Sequence, residues 1–143
     1  MHHSALDREK GYIKIMQKSG RKPTCLTVET KDVAGLDVAL SADDWRAISQ
    51  HDAVIAYDDD LANLIARTAY DHQVRIPDGL AIAGFNGDYA SLSAWQRLTT
   101  MQIPTYEMGR KAAEMAFELV SKGVDAALPS VVFRPNLILG QTT

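Results

Sequence analysis

Two short apolar runs constrain this chain more than anything else in it. Residues 53–57 read AVIAY and residues 80–85 read LAIAGF. An uninterrupted apolar run of this length predicts a strand covered on both faces, as in a parallel sheet. Each run stops at polar residues: Asp58, Asp59 and Asp60 after the first, Asn86, Gly87 and Asp88 after the second. Between them Leu61, Leu64, Ile65, Thr68 and Ala69 recur at helical spacing. RIPDG (75–79) then makes a turn, with Pro77 pre-setting φ and Gly79 supplying freedom.

The flanking segments extend the alternation. SALDREKGYIKIMQKSG (4–20) predicts a helix. Ser4 and Asp7 make a capping-box-like start, Tyr12, Ile13 and Met16 an apolar stripe, and Gly20 a stop. TCLTV (24–28) predicts a strand and residues 29–33 a loop. Ser41 with Asp44 starts a helix that buries Trp45 and Ile48. Residues 86–97 read as a loop with room for a short helix, and LTTMQI (98–103) as a strand. The clearest helix covers 105–122, capped by Thr105, with Glu107 in its first turn and Gly123 beyond its end. VVFRPNLIL (131–139) supplies one or two strands broken at Pro135. The predicted order is α-β-α-β-α-β-β-α-β. It implies an α/β fold: a mostly parallel sheet flanked by helices.

Composition narrows the function classes. The 143 residues suffice for one domain, and 46% hydrophobic with 23% charged residues is a globular balance. A net charge of -3 gives no basic footprint for nucleic acid on this chain. The single cysteine, Cys25, excludes an internal disulfide. Inside a predicted strand it reads as a buried, inert thiol, suited to a reducing cytoplasm. The first residues lack an apolar signal core, and no run is long enough to span a bilayer, so no membrane association is expected. His51 and His72 lack metal-ligand spacing, and neither a G-x-S-x-G elbow nor a phosphate-binding G-x-x-x-x-G-K-[ST] loop occurs. No catalytic residue, resident metal or cofactor is expected.

In parallel sheets ligands sit beyond the carboxyl ends of the strands. That rule selects Glu29–Asp32, Asp58–Asp60 and Asn86–Asp88. The acidic triplet can hold a metal, cap a helix or line a cleft. Asp59 or Asp60 is placed to cap, and Asp58, nearest the strand end, to face a cleft. Asn86 offers an amide that donates and accepts, which suits a hydroxyl-rich ligand. Arg8, on the first helix, is either solvated or a guanidinium fork for paired hydroxyls or a carboxylate.

The ordered set RIPDGLAIAGFNGD, LTT and YEMGRKAAEM, with DREKGY and AYDDDLA before it, resembles the LacI/GalR family over nearly the whole chain. The resemblance implies a two-lobed domain like periplasmic sugar-binding proteins, in a bacterial transcription regulator, mostly a repressor. A small effector, a sugar or sugar acid, binds between the lobes and changes operator affinity. Arg8 matches the family's effector-binding arginine. Asp58 matches a position that contacts sugar hydroxyls, and Asn86 one that is usually an aspartate contacting the effector. Thr30 stands where several members stack an aromatic ring on the ligand. Asp59 matches a common aspartate, assigned here to capping.

On this resemblance residues 1–143 are a partial effector-binding domain. Residues 1 to about 102 form the C-terminal lobe, 103–143 are elements that pack on the other lobe, and no helix-turn-helix is included. Met108, Met115 and Leu119 would then form an exposed apolar patch, so a homodimer is expected. DNA would be met only through a domain outside this chain. The alternatives are a sugar-binding protein of a transport system, and a metal-dependent enzyme using Asp58–Asp60.

Overall fold

The two apolar runs pair with each other. In the computed structural model, which describes residues 3–28, 39–87, 96–123 and 128–143, the elements run in chain order. They are α1 (His3–Lys18), α2 (Ala42–Ile48), β1 (Ala53–Ile55), α3 (Asp59–Asp71), β2 (Ala81–Asn86), β3 (Thr99–Gln102), α4 (Thr105–Lys122) and β4 (Asn136–Ile138). The sheet order is β1-β2-β3-β4. β1 and β2 are parallel with Val54 opposite Ile82, and β2 and β3 are parallel with Gly84 opposite Thr100. β4 closes the sheet antiparallel to β3, with Met101 opposite Leu137. The expected α/β, mostly parallel architecture is therefore present.

The core lies where α3 crosses β2. Ala62, Ile65, Ala66 and Ala69 recur on one face of α3 and are buried with Leu80, Ile82 and Leu98 of the sheet layer. Trp45 and Ile48 of α2 join them, and Trp45 stacks on His72 with ring centroids 5.0 Å apart. Fully burying a side chain such as Ile65 or Ile82 stabilises by about 1.5–3 kcal/mol. This cluster is the chief source of cohesion.

Helix ends follow the local chemistry. α1 closes in a Schellman motif: Gly20 N–H donates to Gln17 O at 3.0 Å and Arg21 N–H to Met16 O at 2.9 Å, with Gly20 at φ +68. The Ser41 hydroxyl accepts from Asp44 N–H at 3.0 Å and caps α2 as expected. Two other expected caps are corrected. α1 begins at His3, so Ser4 lies inside it, and its hydroxyl meets the Tyr57 hydroxyl at 3.2 Å. α4 is preceded by Pro104 without a side-chain cap, and Thr105 is its first residue.

The strand expectations also need correction. Residues 24–28 form no strand, and Cys25 is exposed rather than buried. β-propensity expresses itself only where a neighbouring strand and a face to cover exist. Among the described residues β1 is an edge strand, and AVIAY is not covered on both faces: Ala53 and Ile55, which share one face, are exposed, Ile55 by 59%. Near the C-terminus only Asn136–Ile138 pairs, beyond Pro135. Thr142 then wedges between β2 and β3. Its hydroxyl donates to Ile82 O at 2.7 Å and accepts from Thr99 N–H at 2.9 Å.

No residue of α4 is buried. Its most open apolar side chains are Tyr106, Phe117 (76% exposed) and Val120 (84%), with Met108 also exposed. Of the patch expected from sequence, Met115 and Leu119 are half-buried.

Candidate functional site

The carboxyl ends of β1, β2 and β3 gather on one side of the sheet, and the chain there is turned by a buried carboxylate. Asp59 is only 1% exposed. Its Oδ1 accepts from the Thr100 hydroxyl at 2.6 Å and its Oδ2 from Gly87 N–H at 2.8 Å. A Cβ on Gly84 would stand 2.3 Å from Asp59 Oδ1, so glycine is required for the carboxylate to reach β3. This latch fixes the turn after β2, where Asn86 has φ +108 and Gly87 φ +70. A positive φ on a non-glycine residue costs energy and persists only when its surroundings hold it. The second restraint is Ile103 N–H, which donates to Asn86 O at 3.1 Å.

That turn presents the Asn86 side chain to α1. Arg8 Nη2 donates to Asn86 Oδ1 at 3.2 Å, and Arg8 Nη1 donates to Tyr57 O. The guanidinium also lies over two aromatic rings, 4.8 Å from the Tyr57 centroid and 4.5 Å from that of Phe85. Cation–π contacts of this kind hold an arginine while leaving its edge available for in-plane hydrogen bonds. Arg8 and Asn86, 78 positions apart, thus meet at the carboxyl end of β2.

Asp58 stands next to Tyr57, and its Oδ1 accepts from Leu61 N–H at 2.9 Å. The N-cap of α3 is therefore Asp58, not Asp59 or Asp60 as the sequence suggested. The three carboxylates divide their roles: Asp58 caps, Asp59 turns inward, and Asp60 is exposed. Among the described residues no group of three or more His, Cys, Asp or Glu is arranged to hold a metal ion. Thr30 lies outside the described residues, as do Glu29, Asp32 and Asp88.

Tyr57 and Phe85 went unnoticed at the sequence level, although each directly precedes a selected polar site. An aromatic at the last apolar position of a run that ends in polar residues is the signal that could have found them. Cys25 is accessible, yet partial burial, and after it the Glu9 charge and hydrogen bond, push its thiol above the ordinary range.

Residues 2–143 match the family model for the periplasmic binding protein-like domain. The chain belongs to this family. Its curated relatives are transcriptional regulators of the LacI/GalR type. The uncharacterized HTH-type transcriptional regulator YvdE of Bacillus subtilis (strain 168) is 29% identical over 136 residues, covering 95% of this chain and 42% of the relative. The arabinose metabolism transcriptional repressor of Geobacillus stearothermophilus is 26% identical over 143 residues, covering 96% and 39%. The chain thus spans about two fifths of the length of these relatives. Among solved structures, a periplasmic binding protein/LacI transcriptional regulator from Alkaliphilus metalliredigens QYMF, complexed with D-xylulofuranose, superposes with TM-score 0.80 at 17% identity. That match covers 95% of this chain and 50% of the other. A LacI family regulator from Arthrobacter sp. FB24, in complex with lactose, gives TM-score 0.74 at 21% identity, covering 94% and 50%. These two likenesses show the fold.

Proposed function

We propose that residues 1–143 are the effector-binding portion of a LacI-type transcriptional regulator, a repressor, whose effector is a sugar or sugar acid bound by Arg8, Asn86, Asp58 and Thr30. The observation that carries this reading is the Arg8–Asn86 contact, which joins α1 to the carboxyl end of β2, the place where parallel sheets bind ligands. The sugars named with the solved structures of the same fold support it.

The proposed mechanism is a population shift. Effector binds one arrangement of two lobes better than the other, and that difference biases DNA-contacting segments elsewhere in the regulator. Residues 1–102 serve as one lobe. Within 103–143, the open face of α4 meets the rest of the domain or a second copy. The chain is not an enzyme, acts in the cytoplasm and pairs as a homodimer. The bond of Asp58 to the start of α3, and those of Asp59 to Gly87 and Thr100, disfavour the metal-enzyme alternative.

Calorimetric titration with a panel of neutral and acidic sugars tests the reading. One member should bind, and Arg8→Ala or Asn86→Ala should weaken it about tenfold or more, as expected when a polar partner is removed from a buried ligand. Loss of thermal stability without loss of affinity would count against it. Residues 1–143 alone should give no operator-specific gel shift.

A further inference from the structure

Arg8 differs from the cations that form ion pairs among the described residues. Lys10, Arg46, Arg110, Lys111 and Lys122 each pair with an acid three or four positions away on their own helix, and these acids are exposed except for the half-buried Glu118. Arg8 is half-buried, and no carboxylate of the described residues lies within ion-pair distance of it. Its hydrogen-bond partners are two neutral oxygens, the Tyr57 carbonyl and the Asn86 amide. A guanidinium carries five N–H groups in one plane and does not lose its charge. The two bonds and two aromatic contacts therefore fix its orientation without neutralising it.

A half-buried positive charge held this way is prepared for a planar or tetrahedral anion approaching its open edge, because charge-assisted bonds are about twice as strong as neutral ones. We propose that the effector carries an anionic group, a carboxylate or a phosphate, seated on Arg8, and that Asn86 selects for it by being neutral. An aspartate at 86 would hold the same bond to Arg8 and cancel the charge the ligand needs. This inference rests on the effector-site reading above and narrows it.

The test is calorimetric titration of the native gene product, at its natural length, with matched sets: glucose, gluconate and glucose 6-phosphate; galactose and galactonate; xylose and xylonate. At least one acid should bind about tenfold or more tightly than its neutral parent. The carboxylate and phosphate members of the first set distinguish the two anion sources. Asn86→Asp should reduce the preference for the acid to within about threefold of the neutral sugar, while Asn86→Ser should retain it. A neutral sugar binding as well as its acid overturns the inference and leaves the effector-site reading standing. No binding by any member overturns both.

Discussion

At the residue scale, Asp59 has the largest structural consequence. Burying a carboxylate is unfavourable unless hydrogen bonds replace water, and here Thr100 and Gly87 do so. Asp59→Ala would leave the Gly87 N–H without its acceptor and open a small void. Urea denaturation should show a loss of about 2–4 kcal/mol. Gly84→Ala places a methyl group 2.3 Å from Asp59 Oδ1 and 3.0 Å from Leu98 Cδ2, and should cost about 1–3 kcal/mol in the same measurement. Unchanged stability for Gly84→Ala would mean that Asp59 does not sit against β2. Cys25 should react with a thiol reagent in the folded protein, because it is exposed. Its pKa is raised, so the thiolate fraction at pH 8 is below that of an ordinary cysteine, and its reaction rate should keep rising at higher pH.

At the scale of the element, Asp58 raises a question of dual use. It caps α3, and it is also a proposed ligand contact. Substitution by serine separates the two, since serine is as good an N-cap as aspartate but lacks the charge. Asp58→Ala should lose about 1 kcal/mol, and Asp58→Ser should recover most of it. If Asp58→Ser still binds effector with native affinity by calorimetry, capping is the only role of that side chain. The cap of α2 was legible because Ser41 and Asp44 stand at the right spacing before Trp45. The strand at 24–28 was misread because β-branched composition does not reveal whether a partner strand is present.

At the scale of the molecule, the sheet and the core are continuous, but α4 contributes no buried residue. Tyr106, Phe117 and Val120 present apolar surface that a stable fold normally covers. If α4 joins two copies, the double substitution Phe117→Glu, Val120→Glu should convert dimer to monomer in sedimentation velocity without lowering the cooperative unfolding of the core. A wild-type chain that remains monomeric at high micromolar concentration would exclude self-association through this face. The pairing of Lys122 with Glu118, which lowers the Glu118 carboxyl below its ordinary range, lies at the far end of the same helix and helps to keep that end helical.

The sequence alone determined what depends on local spacing. It determined the two parallel strands from AVIAY and LAIAGF, the helical face of α3, the Ser41 cap and the Gly20 stop. These are properties of neighbours within a few positions, where backbone geometry and side-chain period leave few alternatives. Only the tertiary structure decided which aspartate caps and which is buried, because three adjacent carboxylates are equivalent until the end of α3 and the Thr100 hydroxyl choose between them. It also decided that Tyr57 and Phe85 lie against the Arg8 guanidinium and that, among the described residues, AVIAY supplies an edge strand. Those outcomes depend on residues tens of positions apart in the chain, whose meeting no local pattern encodes.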